Sequence, residues 1–151
     1  PNQESLALTS YLAANLPVSL GLPPEYAAAG CAVFVPAVPT LTPVSQYLSR
    51  WQGREIWLEL ALDGETIALT PAGAAASPLP PATQLSGGHR DERLHCRYQI
   101  HTDADSARFT LFRTPEDLNA LLTKGEALGV TRAVGLYQEL HGIPQFLTDP
   151  E

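Results

Sequence analysis

The spacing of apolar positions divides the chain into helical and extended stretches. Over residues 4–16, Leu8, Tyr11, Leu12 and Leu16 recur at helical spacing and Pro17 stops the run, which predicts an N-terminal helix. Residues 17–29 are rich in Pro and Ala, with material for one helical turn at 24–29. GCAVFVPAV (30–38) is a nearly unbroken apolar run rich in Val. That pattern belongs to a strand covered on both faces, hence central in a sheet, and Pro36 marks its end.

TPVSQYLSRWQG (42–53) is punctuated as a helix. Thr42 is the expected N-cap, Pro43 takes the first helical position, and Gly53 closes the segment. Val44, Tyr47, Leu48 and Trp51 form one apolar stripe. REIWLELALDGETIALT (54–70) reads as a hairpin about an Asp63-Gly64 turn, with Leu60 opposite Ile67 and Leu58 opposite Leu69. Its other face would carry Trp57, Glu59, Thr66 and Thr70. Residues 71–88 are low in charge and rich in Ala, Pro, Ser and Gly, and read as a long surface loop.

Alternation returns in RLHCRYQI (93–100). Leu94, Cys96, Tyr98 and Ile100 face one way, and Arg93, His95, Arg97, Gln99 and His101 face the other. After the turn HTDADS, ARFTLFR (107–113) comes back as a partner strand. Setting His101 opposite Ser106 brings Tyr98 to Phe109 and Cys96 to Leu111 on the face expected to be buried. TPEDLNALLTKGEALG (114–129) repeats the Thr-Pro helix start, with Glu116 and Asp117 in the first turn and Leu118, Leu121, Leu122 and Leu128 as the stripe. Gly125 lies on that stripe and lets the helix approach a sheet closely. TRAVGLYQEL (131–140) is the expected last strand.

The expected fold is therefore α+β: a mostly antiparallel sheet of about six to seven strands, two Thr-Pro-capped helices packed on it, and an N-terminal helix. The length, 151 residues, suits one domain over 1–151, interrupted by the loop at 71–88. At 44% hydrophobic and 17% charged residues, the chain has the composition of a folded domain. Eight Arg against one Lys (Lys124) point to a GC-rich bacterial coding sequence.

A formal net charge of −7 disfavours nucleic acid and anionic membrane as partners. No apolar run approaches the ~18 residues of a membrane span. Residues 1–22 lack the basic start of a secretory signal. A cytoplasmic location is the expectation, with prior removal of a signal peptide left open.

The chemical motifs each fail on spacing. Leu85-Ser86-Gly87-Gly88 spells an ABC-ATPase signature, but no GxxxxGK[ST] loop accompanies it. His89, His95, Cys96 and His101 are dense in sequence, yet His95 and Cys96 fall on opposite faces of a strand. His95 and His101 stand about 20 Å apart at ~3.3 Å per residue. Asp91, Glu92, Asp103 and Asp105 are turn acids without an EF-hand loop. Cys31 and Cys96 could form one disulfide or stand as two buried thiols; neither is set beside a base in a recognisable motif, and no GxSxG elbow is present. No catalytic, cofactor-binding or metal residues are assigned, and no cofactor is expected.

One surface stands out. Arg93, His95, Arg97, His101 and Arg108 would line the wet face of the 93–113 hairpin beside Phe112, with Trp57 exposed on the first hairpin. Such a strip suits the carboxylates of an acidic protein partner. The functional expectation is a noncatalytic protein-interaction or accessory domain using that face, with homo-oligomer formation open. The alternative is a small-molecule binder or enzyme whose site assembles from distant residues such as His95, Arg97, Arg108 and Tyr137.

Overall fold

The computed structural model describes residues 2–62, 64–79 and 85–140. The fold is α+β and holds two sheets, one parallel and four-stranded, the other antiparallel and five-stranded. In chain order the elements are α1 (Gln3–Asn15), β1 (Gly21–Leu22), β2 (Ala32–Val35), α2 (Val44–Leu48) running into a 3-10 turn (Ser49–Trp51), and β3 (Ile56–Leu60). Then come β4 (Gly64–Thr70), β5 (Gly73–Pro78), β6 (His89–Asp91), β7 (Cys96–Thr102), β8 (Ala107–Phe112), α3 (Pro115–Glu126), β9 (Val130–Gly135) and α4 (Tyr137–Leu140).

The parallel sheet has the order β1-β2-β3-β9, and the antiparallel sheet has the order β5-β4-β8-β7-β6. The second sheet is thus inserted between β3 and the helix that leads to β3's neighbour β9. β2, the Val-rich run, is an inner strand, as its continuous apolarity predicts.

The core is built by the parallel sheet and its two helices. Val33, Val35, Ile56, Leu58, Leu60 and Val130 meet Val44 and Leu48 of α2 and Leu118 and Leu121 of α3. Gly125 permits the close approach of α3, since a Cβ there would lie 3.0 Å from Val130 Cγ2. α3 starts at a complete capping box. The Thr114 hydroxyl accepts from the Asp117 amide, and the Asp117 carboxylate accepts from the Thr114 amide at 3.0 Å.

Several expectations change. The 54–70 hairpin does not form. β3 lies between two parallel partners, β2 and β9, and β4 pairs instead with β5 and β8. Both edges of β3 are occupied, so none is left for β4, and the chain crosses from one sheet to the other at 61–64. Asp63 of the expected turn lies outside the described residues.

The stretch read as a loop at 71–88 contains β5, which hairpins back on β4 with Thr70 opposite Gly73. Residues 80–84 of that stretch lie outside the described residues. Residues 93–95 belong to a turn between β6 and β7, not to a strand. The β7–β8 register places Tyr98 opposite Leu111 and Ile100 opposite Phe109, two residues from the expected alignment. An even slip preserves the two faces.

α2 begins one residue late: Pro43 occupies the N-cap and no side chain caps it. The last expected strand stops at Gly135, where α4 turns back and packs Leu140 over the glycine. α1 forms where expected, but Leu8, Tyr11 and Leu16 are exposed and none of its residues is buried. Its apolar positions spread around the helix rather than along one side. Its described ties to the body are Ala13 against the core and the Cys31 thiol reaching the Thr9 carbonyl.

Candidate functional site

The antiparallel sheet is anchored at one end and free at the other. At the anchored end, Gly64, Phe112 and Arg97 stand side by side across β4, β8 and β7. One face there receives the start of α3. Asp117 is fully buried; its Oδ2 accepts from the Thr114 hydroxyl at 2.7 Å and from Arg97 Nε at 3.2 Å. Its Oδ1 faces Arg90 Nε at 3.4 Å. Glu116 adds a contact to Arg97 Nη2 at 2.9 Å. A buried carboxylate must be paired, and here two arginines from β6 and β7 do the pairing.

The opposite face of the same end meets residues 37–40. Buried Arg113 donates through Nε to the His95 carbonyl at 3.1 Å and through Nη2 to the Pro39 carbonyl at 3.2 Å. The Thr40 hydroxyl donates to the Glu65 carboxylate.

At the free end the sheet has two unlike faces. One carries Thr66, Ala68, Thr70, Gln99, His101, Arg108 and Thr110. The other carries a cross-strand row, Ala76–Ile67–Phe109–Ile100, and beside it Ala74–Leu69–Ala107. None of these apolar side chains belongs to the core cluster. Ile100 is 51% exposed and Leu69 40% exposed. Between them, Ile67 and Phe109 are half-buried.

The residues expected to form a cationic strip are dispersed. Phe112 is 4% exposed, buried beneath the start of α3. Arg97 is spent on Asp117 and Glu116. Arg93 and His95 sit in the β6–β7 turn. His95 adopts a left-handed backbone conformation at φ 48°, and burial, reinforced by nearby Arg90, lowers its imidazole pKa. Only His101 and Arg108 remain opposite one another on the wet face, with His101 Nε2 3.5 Å from Asp103.

Trp57 lies in the other sheet. Its ring covers Gly21, Arg132 stacks on it at 4.6 Å, and its indole N–H donates to Glu55 at 3.1 Å. That bond, with one from the Thr131 hydroxyl, holds the Glu55 carboxyl below its ordinary pKa. The Tyr137 side chain lies outside the described residues.

Both cysteines are free and buried. Burial raises the Cys96 thiol pKa against the pull of Arg113, the reverse of what a nucleophile needs. Among the described residues, no three His, Cys, Asp or Glu side chains gather to hold a metal ion. Among the same residues, no helix is long and apolar enough to cross a membrane.

A cleft of about 440 Å³ opens just past the end of β2, between residues 37–40 and the start of β4 and end of β5. Its polar walls are Thr40, Glu65, Ser77 and Arg113. Glu65 is engaged by Thr40, and Arg113 by backbone carbonyls.

The residues that the sequence did not single out are Ile67, Leu69, Ile100 and Phe109. Their alternation was readable, but it implied the core. Comparisons with protein-family models, curated proteins and solved structures give no match to this chain.

Proposed function

We propose that this chain is a noncatalytic protein-interaction domain whose docking surface is the free half of the antiparallel sheet. The observation that carries the reading is the apolar row Ala76–Ile67–Phe109–Ile100 with Leu69 beside it, outside the core, with Ala76, Leu69 and Ile100 exposed and Ile67 and Phe109 half-buried. Contiguous exposed apolar surface rimmed by polar residues marks contact sites in soluble proteins. The partner would present apolar side chains to this face. Carboxylates at the partner's margin would reach Arg108 and His101 around the sheet's end. The guanidinium of Arg97 takes no part, since it already serves Asp117.

Site-specific photocrosslinking tests this. A photoreactive residue at Ile100 should trap a discrete partner in the native source, whereas one at Thr110 on the other face should not. Leu69→Glu should abolish the adduct at Ile100 while the far-ultraviolet spectrum stays unchanged. Equal adducts from both faces, or adducts insensitive to Leu69→Glu, would remove the assignment.

A second reading, small-molecule binding, is favoured by the cleft's position just past the carboxyl end of the parallel strand β2, a place where open α/β sheets commonly bind ligands. A ligand there would have to replace Thr40 on Glu65. Glu65→Gln should then lower its affinity without loosening the fold, as read by calorimetric titration of candidate amines.

A further inference from the structure

The outer edge of the antiparallel sheet is β5, and all six of its residues are exposed. We propose that a second copy of this chain pairs with it, β5 to β5 about a two-fold axis, joining two five-stranded sheets into one. Three observations lead there.

The first is the hydrogen-bond phase. The Leu79 amide donates to the Gly64 carbonyl at 2.9 Å, which continues the β4–β5 ladder one step past the Glu65–Pro78 pair. In an antiparallel ladder, bonded and unbonded pairs alternate. Residues 73, 75, 77 and 79 therefore bond to β4, and Ala74, Ala76 and Pro78 turn their backbone groups outward. Pro78, which has no N–H, sits where its lack costs the ladder nothing. The outward donors are then the Ala74 and Ala76 amides.

The second is self-complementarity. Centring a two-fold on Ala75 sets Ala74 opposite Ala76 of the other copy, and Ala76 opposite its Ala74. Each amide finds a carbonyl, and the contact closes after two chains instead of growing into a filament. Methyl side chains at all four positions raise no steric objection.

The third is charge. The chain carries −7, so two copies repel, yet residues 66–88 contain no charged side chain at all. Natural edge strands are commonly blunted by Lys, inward charge or Pro. Residues 74–76 carry none of these and Pro78 stands at the strand's end, so β5 is the surface on which a like-charged copy can approach. The new sheet would also carry the apolar rows of both copies on one side, without covering them, so this pairing stands whether or not the partner reading above does.

Sedimentation analysis from micromolar to millimolar protein tests the pairing. The wild type should dimerise, more tightly as salt is raised, because screening removes net repulsion. Ala74→Glu with Ala76→Glu sets acid against acid twice and should weaken association by roughly tenfold or more. Ala74→Lys with Ala76→Glu sets Lys against Glu twice and should restore it. A wild type that stays monomeric throughout, or a dimer indifferent to both variants, overturns the proposal. Hydrogen exchange gives an independent reading on unaltered protein: the Ala74 and Ala76 amides should gain protection with concentration, and concentration-independent exchange would equally overturn it.

Discussion

The two sheets use the same kinds of residue for opposite ends. In the parallel sheet, alternate apolar side chains meet helices: Val33, Val35, Ile56 and Leu58 are buried under α2 and α3. In the antiparallel sheet, the same alternation in β4, β7 and β8 stays outside the core cluster over its free half, where Leu69 and Ile100 are exposed. One sheet makes the stability and the other presents surface. Between them lies a polar joint, where Asp117 holds Arg90 and Arg97 on one side and Arg113 holds backbone carbonyls on the other. An apolar periodicity therefore reports which residues share a face, and only the layer above that face decides whether it is core.

The sharpest way to break the contrast is to cut the joint. Asp117→Ala should lower stability by roughly 3–5 kcal/mol, because it leaves the two arginines and the Thr114 cap without their buried acceptor. Chemical denaturation measures the loss, and hydrogen exchange should locate it in β6 and β7. A loss spread evenly over both sheets would show that they do not differ as described.

Next in size is the core itself. Leu58→Ala should cost about 2–5 kcal/mol, whereas Ile100→Ala should stay within about 0.5 kcal/mol, as for an exposed position. Equal costs in matched urea titrations would mean that the free face is covered.

The smallest effect concerns pH. His95 has a depressed folded pKa, so its neutral form is favoured by folding. Its stabilising contribution is complete above the unfolded value of about 6.5 and declines as pH falls through the lower folded value. Arg90 and Arg113 oppose the added proton, while Glu92 and Asp117 favour it. His95→Asn, which tolerates the left-handed backbone, should flatten the stability profile on the acid side of neutrality and leave the parallel sheet untouched. An unchanged slope in thermal melts between pH 7 and pH 5 would count against this account.

How much of this was legible depended on range. The Thr114-Pro115 start of α3, its Leu118 and Leu121 stripe and the close approach at Gly125 were all readable, because capping and helical periodicity are local. The Val-rich β2 was readable as an inner strand for the same reason. The pairing of β3 was not. An Asp-Gly dipeptide between two alternating runs favours a hairpin locally, and no local signal announces that β9, beyond the whole inserted sheet, will take that edge.

β5 was missed because Ala and Gly have low strand propensity, and only its neighbour β4 makes it extended. The expected strip is dispersed for another reason. Arg97 and Phe112 do share one face, but Arg93 lies in the β6–β7 turn and that face receives the acidic first turn of α3. Charges that look available in one dimension are consumed in three.

The inserted sheet also bears on chain closure. Its first and last strands are hydrogen-bonded neighbours, with Gly64 opposite Phe112, so once folded it holds its two ends together. Until then, β9 must find β3 across a long, loose chain, a closure that grows costlier with length and slows folding. The folded insert therefore works as a clasp: it keeps the chain leaving β3 and the chain entering α3 side by side.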